Sequence, residues 1–189
     1  MANPNVGMMY PVWAEFDSHT EGTMPTYKTG HVIQEARNAT LNREYQNNPL
    51  YGDDRIVDDD NGLQALTASF DPTGLSDADR VLLFGDELRT DGEYWESDNS
   101  SPKGGFGYVR VMRDDSSGTV VTNYEAWWYY RVQFSVSSEE TRTKEQSIEW
   151  RVPTLQGVGS GVSVDSSGKL KFATHQTFST FDASKTWLK

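Results

Sequence analysis

The 189-residue chain contains no cysteine, which removes both a disulfide framework and a thiolate metal site from consideration. Histidine is scarce as well: His19, His31 and His175 stand far apart with no ligand spacing, and there is no HExxH, so a zinc enzyme is not indicated. Long apolar runs are missing. The longest are Val81-Leu82-Leu83-Phe84 and Ala126-Trp127-Trp128-Tyr129-Tyr130, far short of a transmembrane helix. The opening Met1-Ala2-Asn3-Pro4-Asn5 has neither a basic nor an apolar segment of the secretory kind, so synthesis in a reducing compartment is expected. Positive charge is also deficient, with 17 basic against 28 acidic residues and a net charge of −11. Such a balance argues against gripping a phosphate backbone. The deficit is uneven: residues 1–100 hold 19 acidic and 6 basic side chains, residues 101–189 hold 9 and 11. An electrically lopsided subunit suits head-to-tail self-association.

What the chain has in plenty is aromatic residues, six Trp, nine Tyr and eight Phe, and these favour strands. Alternation through 124–134 predicts a strand with Ala126, Trp128, Tyr130, Val132 and Phe134 on one face and Trp127, Tyr129, Arg131 and Gln133 on the other. On this pattern Trp128 is the core residue, and Trp127 faces a flanking element or a neighbouring subunit. Phe106 to Met112 reads as a strand apolar on both faces, Ile148 to Val152 as another, and 31–45 and 62–71 as weaker ones. The repeated tips Asp115-Ser116-Ser117-Gly118 and Asp165-Ser166-Ser167-Gly168 predict hairpins. One helix is signalled by Ser76 as N-cap with Asp79 three residues on, a stripe of Ala78, Val81 and Leu82, and Gly85 as stop. A second, short helix is read from Asp182. Two polar stretches, 46–61 and 90–105, read as long loops, and loops of that size usually have a job. The sum is one mainly β domain over 1–189.

Candidate chemistry is thin. Asp58-Asp59-Asp60-Asn61-Gly62 is similar to the start of a calcium loop, but its glycine comes one place early and the closing acid is missing; an acidic turn is the better reading. Gly157-Val158-Gly159-Ser160-Gly161 is not a nucleophile elbow, because no helix pattern follows. Glu125 and Glu149 each sit in an aromatic strand, as the paired carboxylates of a small acidic β-jelly-roll glycoside hydrolase would. The better reading makes each the polar position of an amphipathic strand. A carbohydrate-binding β-sandwich would use the same aromatics as sugar platforms. No catalytic residue, cofactor or metal is assigned.

Several stretches, taken in order, resemble the major tail protein of long-tailed bacteriophages of Gram-positive bacteria, the subunit of the tail tube. These are Tyr10-Pro11-Val12-Trp13-Ala14, the run Tyr45-Gln46-Asn47-Asn48-Pro49-Leu50-Tyr51-Gly52-Asp53-Asp54, the Asp60-Asn61-Gly62 that closes it, Gly105-Phe106-Gly107-Tyr108, the whole of 124–134, Ile148-Glu149-Trp150 and Pro153-Thr154-Leu155-Gln156-Gly157. The resemblance spans about residues 10–157. It implies a β-sandwich or rolled β-barrel of the tail-tube type with a flanking helix, in which 1–30 form an N-terminal arm, 46–61 a long assembly loop and 158–189 a C-terminal hairpin and tail. It further implies a non-enzymatic virion protein that forms six-fold rings stacked into a tube around a tape-measure protein, capped by tail terminator and distal tail proteins. DNA passes through the lumen without specific binding, and no membrane is involved; the protein belongs to the virion, and to the host cytoplasm during assembly. Under this reading Pro49, Leu50, Tyr51, Asp53, Asp54, Arg55 and Ile56 carry the stacking of rings, and Trp127, Tyr129 and Arg131 an inter-subunit face.

Overall fold

The computed structural model describes residues 4–33, 35–52, 55–96, 100–114, 120–138 and 152–189, with backbone alone at 47–61 and 114. The chain is mainly β. Its strands and helices follow in the order β1 (Asn5–Ser18), β2 (Thr26–Tyr27), β3 (His31–Val32), β4 (Ala36–Gly52), β5 (Arg55–Pro72), α1 (Asp77–Phe84), β6 (Glu87–Leu88) and β7 (Tyr94–Trp95). The second half runs β8 (Lys103–Asp114), β9 (Val121–Ser138), β10 (Thr154–Gly159), β11 (Val162–Ser163), β12 (Leu170–Lys171), β13 (Ala173–Phe178) and α2 (Phe181–Trp187). One antiparallel sheet dominates, in the order β2-β1-β8-β9-β10-β5-β4, with β3 added on β1 and β13 on β9; among the described residues no barrel closes. The small pairs β6-β7 and β11-β12 lie apart.

Both faces of the sheet's centre are covered, as the double apolar pattern of β8 requires. One face carries the main core: Trp13, Phe70, Phe106, Tyr108, Tyr129, Val132, Phe134 and Leu155, closed by Leu83 and Phe84 of α1. The other carries Val109 and Ala126 under Leu188, with Tyr10, Tyr124, Trp128, Phe178, Phe181 and Trp187 around them. Here α2 is the lid. Glycines make the second face possible, because a Cβ on Gly105 would lie 2.1 Å from the indole of Trp128 and one on Gly107 2.6 Å from it. Trp128 therefore lies across a trough left by missing side chains.

The predicted faces of β9 hold for only half its length. Phe106 pairs with Tyr129 but Gly104 with Val132, so β9 carries one extra residue at a β-bulge. Beyond it the alternation flips: Val132 and Phe134 join Tyr129 in the main core, while Ala126 and Trp128 serve the other face. Neither adjacent tryptophan is fully buried. Trp128 is thus not the core residue that simple alternation makes it. The bulge also divides the strand's partners, β13 pairing with Tyr124–Tyr129 and β10 with Val132–Ser138.

Helix α1 obeys its end signals. Ser76 and Asp79 form a capping box, and Gly85 ends the helix at φ 79°. The apolar stripe is shifted, however: Leu83 and Phe84 are buried, and with them Asp79, at 1% exposure. Asp79 is drawn inward by its partners, accepting from the Ser76 amide at 2.9 Å and hydroxyl at 2.7 Å while lying 2.8 Å from His31 Nε2. Helix α2 starts at Phe181 with Thr180 as N-cap. The tip at Asp165–Gly168 is a turn with Gly168 at φ 70° and Ser167 N–H donating to Asp165 Oδ1 at 2.9 Å. The sister tip at 115–118 lies outside the described residues. The stretch expected as an N-terminal arm contains β1, which is hydrogen-bonded along β8 and places Trp13 in the core.

The largest departure concerns 46–61. It is not a loop but the outer part of the β4–β5 hairpin, paired from Asn47↔Asn61 through Pro49↔Asp59 to Gly52↔Arg55. Asn- and Asp-rich composition lowers β propensity, which is why the stretch reads as a loop; ladder pairing overrides it. Pro49 is tolerated because β4 is the sheet's edge strand. Asp58, Asp59, Asp60 and Asn61 accordingly lie on a strand rather than in an acidic turn or a calcium loop. Among the described residues no helix is long and apolar enough to cross a membrane.

Candidate functional site

The exposed chemistry of the molecule gathers where β8, β9 and β13 run side by side on the main-core side. Antiparallel register sets cross-strand rows: Tyr108 opposite Trp127 opposite His175, and Arg110 opposite Glu125 opposite Thr177. Residues two apart share a face, so these rows stack into one lattice. Trp127 is flanked by side chains from both neighbouring strands. The His175 ring stacks on it at 4.4 Å and 13°, and the Arg110 guanidinium lies 4.7 Å from its ring centroid. Its indole N–H donates to Glu125 Oε2 at 2.5 Å. Arg110 Nη1 is 3.9 Å from that oxygen, and His175 Nε2 is 3.7 Å from Oε1. Arg110 Nη2 also donates to the Tyr108 hydroxyl at 3.2 Å, itself 3.5 Å from the Tyr129 hydroxyl. Burial, then the neighbouring Tyr108, pushes the Tyr129 phenol far above its ordinary range.

Beside this lattice lies a groove of about 750 Å³, walled by Leu41, Arg43, Leu63 and Leu66 of the β4–β5 hairpin and by Leu170, Lys171, Phe172 and His175. Trp127 and Tyr129 line it with Arg110. Its described lining holds three cations and a histidine and no carboxylate. Two of these cations pair with acids outside the lining: Arg110 with Glu125, and Lys171 with Asp165 at 3.9 Å.

The residues expected to form an inter-subunit face do not share one. Trp127 is half-buried in the lattice; Tyr129, 4% exposed, belongs to the chain's own core. Arg131 falls past the bulge and packs its guanidinium 5.6 Å from the centre of the Phe16 ring. For the stacking residues the backbone places Pro49, Leu50 and Tyr51 on outer β4 and Arg55 and Ile56 on outer β5; Asp53 and Asp54 lie outside the described residues, and so does Glu149. Glu125 is 13% exposed and bound by Trp127, with Arg110 and His175 beside it. No group of three or more metal-ligating side chains occurs among the described residues.

Sequence reasoning missed Arg43, Arg110, Lys171 and His175. Arg110 pairs across a hairpin whose register depends on its turn, and Arg43 comes from a distant strand, so no local pattern joins it to Lys171 and His175 on the successive strands β12 and β13. Comparison with models of known protein families finds no match for this chain, and comparison with curated proteins finds none either.

Proposed function

We propose that the protein is a structural subunit that assembles into six-fold rings, stacked into the tail tube of a long-tailed bacteriophage, around a tape-measure protein and with terminator and distal proteins at its ends. The supporting observation is the open sheet. β4 is a 17-residue edge strand with no hydrogen-bonded strand on its outer side among the described residues, although it comes near β1. β13, six residues long, pairs only with β9 there. Long unpaired edges are a liability that monomeric proteins blunt with charge, bulges or covering elements. In a subunit that meets copies of itself they are the means of closure. A heterologous contact whose rotation closes makes a ring, and stacking of rings, which does not close, makes a filament.

Charge agrees with a conduit. Six copies at −11 each bring −66 to a ring, which keeps a duplex from adhering while screening over about 8 Å lets it pass. The outer hairpin, with Pro49, Leu50, Tyr51, Asp53, Asp54, Arg55 and Ile56, then supplies the stacking contact, and the protein is a virion component without enzymatic activity. Negative-stain imaging of concentrated protein tests the reading. Rings or tubes are expected, with sedimenting mass that rises with concentration. A strict monomer into the millimolar range would overturn it, as would β-glycan hydrolysis lost on Glu125→Gln.

A further inference from the structure

Among the described residues the outer β4–β5 hairpin has no strand beside it to support it. Beyond Leu66, where β10 ends its pairing with β5, the two strands are hydrogen-bonded only to each other among the described residues. From Arg43 to Gly52 the ribbon runs ten residues, about 30 Å at the usual strand rise. A two-stranded ribbon is marginal in water unless a third layer covers it. Its end is also strongly acidic by sequence: Asp53, Asp54, Asp58, Asp59 and Asp60 against the single Arg55. A partner for it needs a concave surface, apolar or aromatic in its floor and positive at its rim.

The same chain carries such a surface. The groove beside the β8-β9-β13 lattice has Trp127 and Tyr129 in its floor and Arg43, Arg110, Lys171 and His175 around it, with no carboxylate in its described lining. Arg110 is paired with Glu125 and Lys171 with Asp165, which leaves Arg43 as the surplus cation of the groove in a chain of net charge −11. Its volume, about 750 Å³, falls in the range of sites that enclose a ligand. Arg43 is exposed and acts electrostatically on the Tyr129 phenol. Arg110 is held in place by Tyr108 and Glu125, and is therefore pre-organised before any partner arrives.

We infer that this groove is the receptor for the acidic hairpin end of a second copy of the chain. The contact is heterologous, since hairpin and groove are different surfaces, so every copy offers one of each and the association propagates. Opposite charge sets its direction, because a hairpin meeting a hairpin is repelled. The inference rests on the self-assembly reading for its biological setting, but its chemistry is tested separately.

Two variants separate the surfaces. Arg43→Glu with Lys171→Glu spoils the groove and leaves the hairpin end; Asp53→Asn, Asp54→Asn, Asp58→Asn and Asp59→Asn together neutralise the hairpin end, give it no attraction for the acidic groove of the first variant, and leave its own groove intact. Circular dichroism and the thermal transition check that each folds. Should the groove pair fail that check, Arg43→Gln with Lys171→Gln takes its place, with association at least tenfold weaker than in the parent. Each variant alone is expected to sediment as a monomer where the parent associates. Mixed, they should form a one-to-one dimer and stop, since only one intact hairpin end and one intact groove remain. Parent-like association by either variant, or a mixture that stays monomeric, overturns the assignment. The heterodimer does not need a ring. A dimer without parental rings keeps the groove and removes the tube reading, and parental rings without the dimer do the reverse.

Discussion

Gly105→Ala tests the trough beneath Trp128. A methyl group there would stand 2.1 Å from Cζ2 of the indole and 2.6 Å from Cε2, distances no real contact sustains. Trp128 must therefore lift, and what it lifts against is Tyr27, edge-on at 5.2 Å, in a cluster shared with Trp187 and Leu188 of the C-terminal segment. Overpacking of this kind costs about 1–3 kcal/mol. In a domain of this size 1 kcal/mol shifts Tm by about 2–4 °C, so a fall of roughly 3–10 °C is expected. Differential scanning calorimetry reads the shift, and near-UV circular dichroism reads the loss of a fixed indole. The reasoning also predicts rescue. Trp128→Leu removes the clash, so Gly105→Ala should cost much less in that background, with a coupling of about 1–2 kcal/mol in the double-mutant cycle. A Gly105→Ala protein that melts within 1 °C of the parent refutes the trough, and so does a cycle with no coupling.

Asp79→Ala removes a capping box and the partner of His31 together, and should destabilise by about 2–4 kcal/mol in urea unfolding; a loss under 1 kcal/mol would show that α1 is held by Leu83 and Phe84 alone. Burial raises the Tyr27 phenol from 10.0 to about 12, and its hydroxyl donates to the Tyr130 carbonyl at 2.7 Å. A group whose folded pKa is raised gives stability that is whole below 10.0 and lost as pH climbs through about 12. Tyr27→Phe should thus be slightly less stable at pH 8 but lose less between pH 10 and 12, and an unchanged alkaline slope would count against the assignment. Deleting 180–189 uncovers Val109, Ala126 and Trp128, and should leave a folded chain that binds a hydrophobic dye; a variant that binds none would mean that α2 covers nothing essential.

Local sequence signals were enough for the mainly β character, helix α1 with its caps, a short second helix near the C-terminus, the pairing of β8 with β9 and the tip at 165–168. Each rests on local physics: aromatic alternation, a capping box, a glycine in the left-handed region. Tertiary structure decided the rest. Whether Trp127 or Trp128 met the core turned on one extra residue at the bulge after Tyr129, invisible to alternation because it depends on what β8 opposes to it. The 46–61 stretch became a ribbon because each of its poor strand formers found a partner across the hairpin, a gain that propensity does not count. The basic groove lay furthest from sequence view. Arg43, Arg110, Lys171 and His175 come from four strands, and only the pairing order of the sheet brings like charges together around Trp127, where Glu125 and the indole hold Arg110 and His175 at close range.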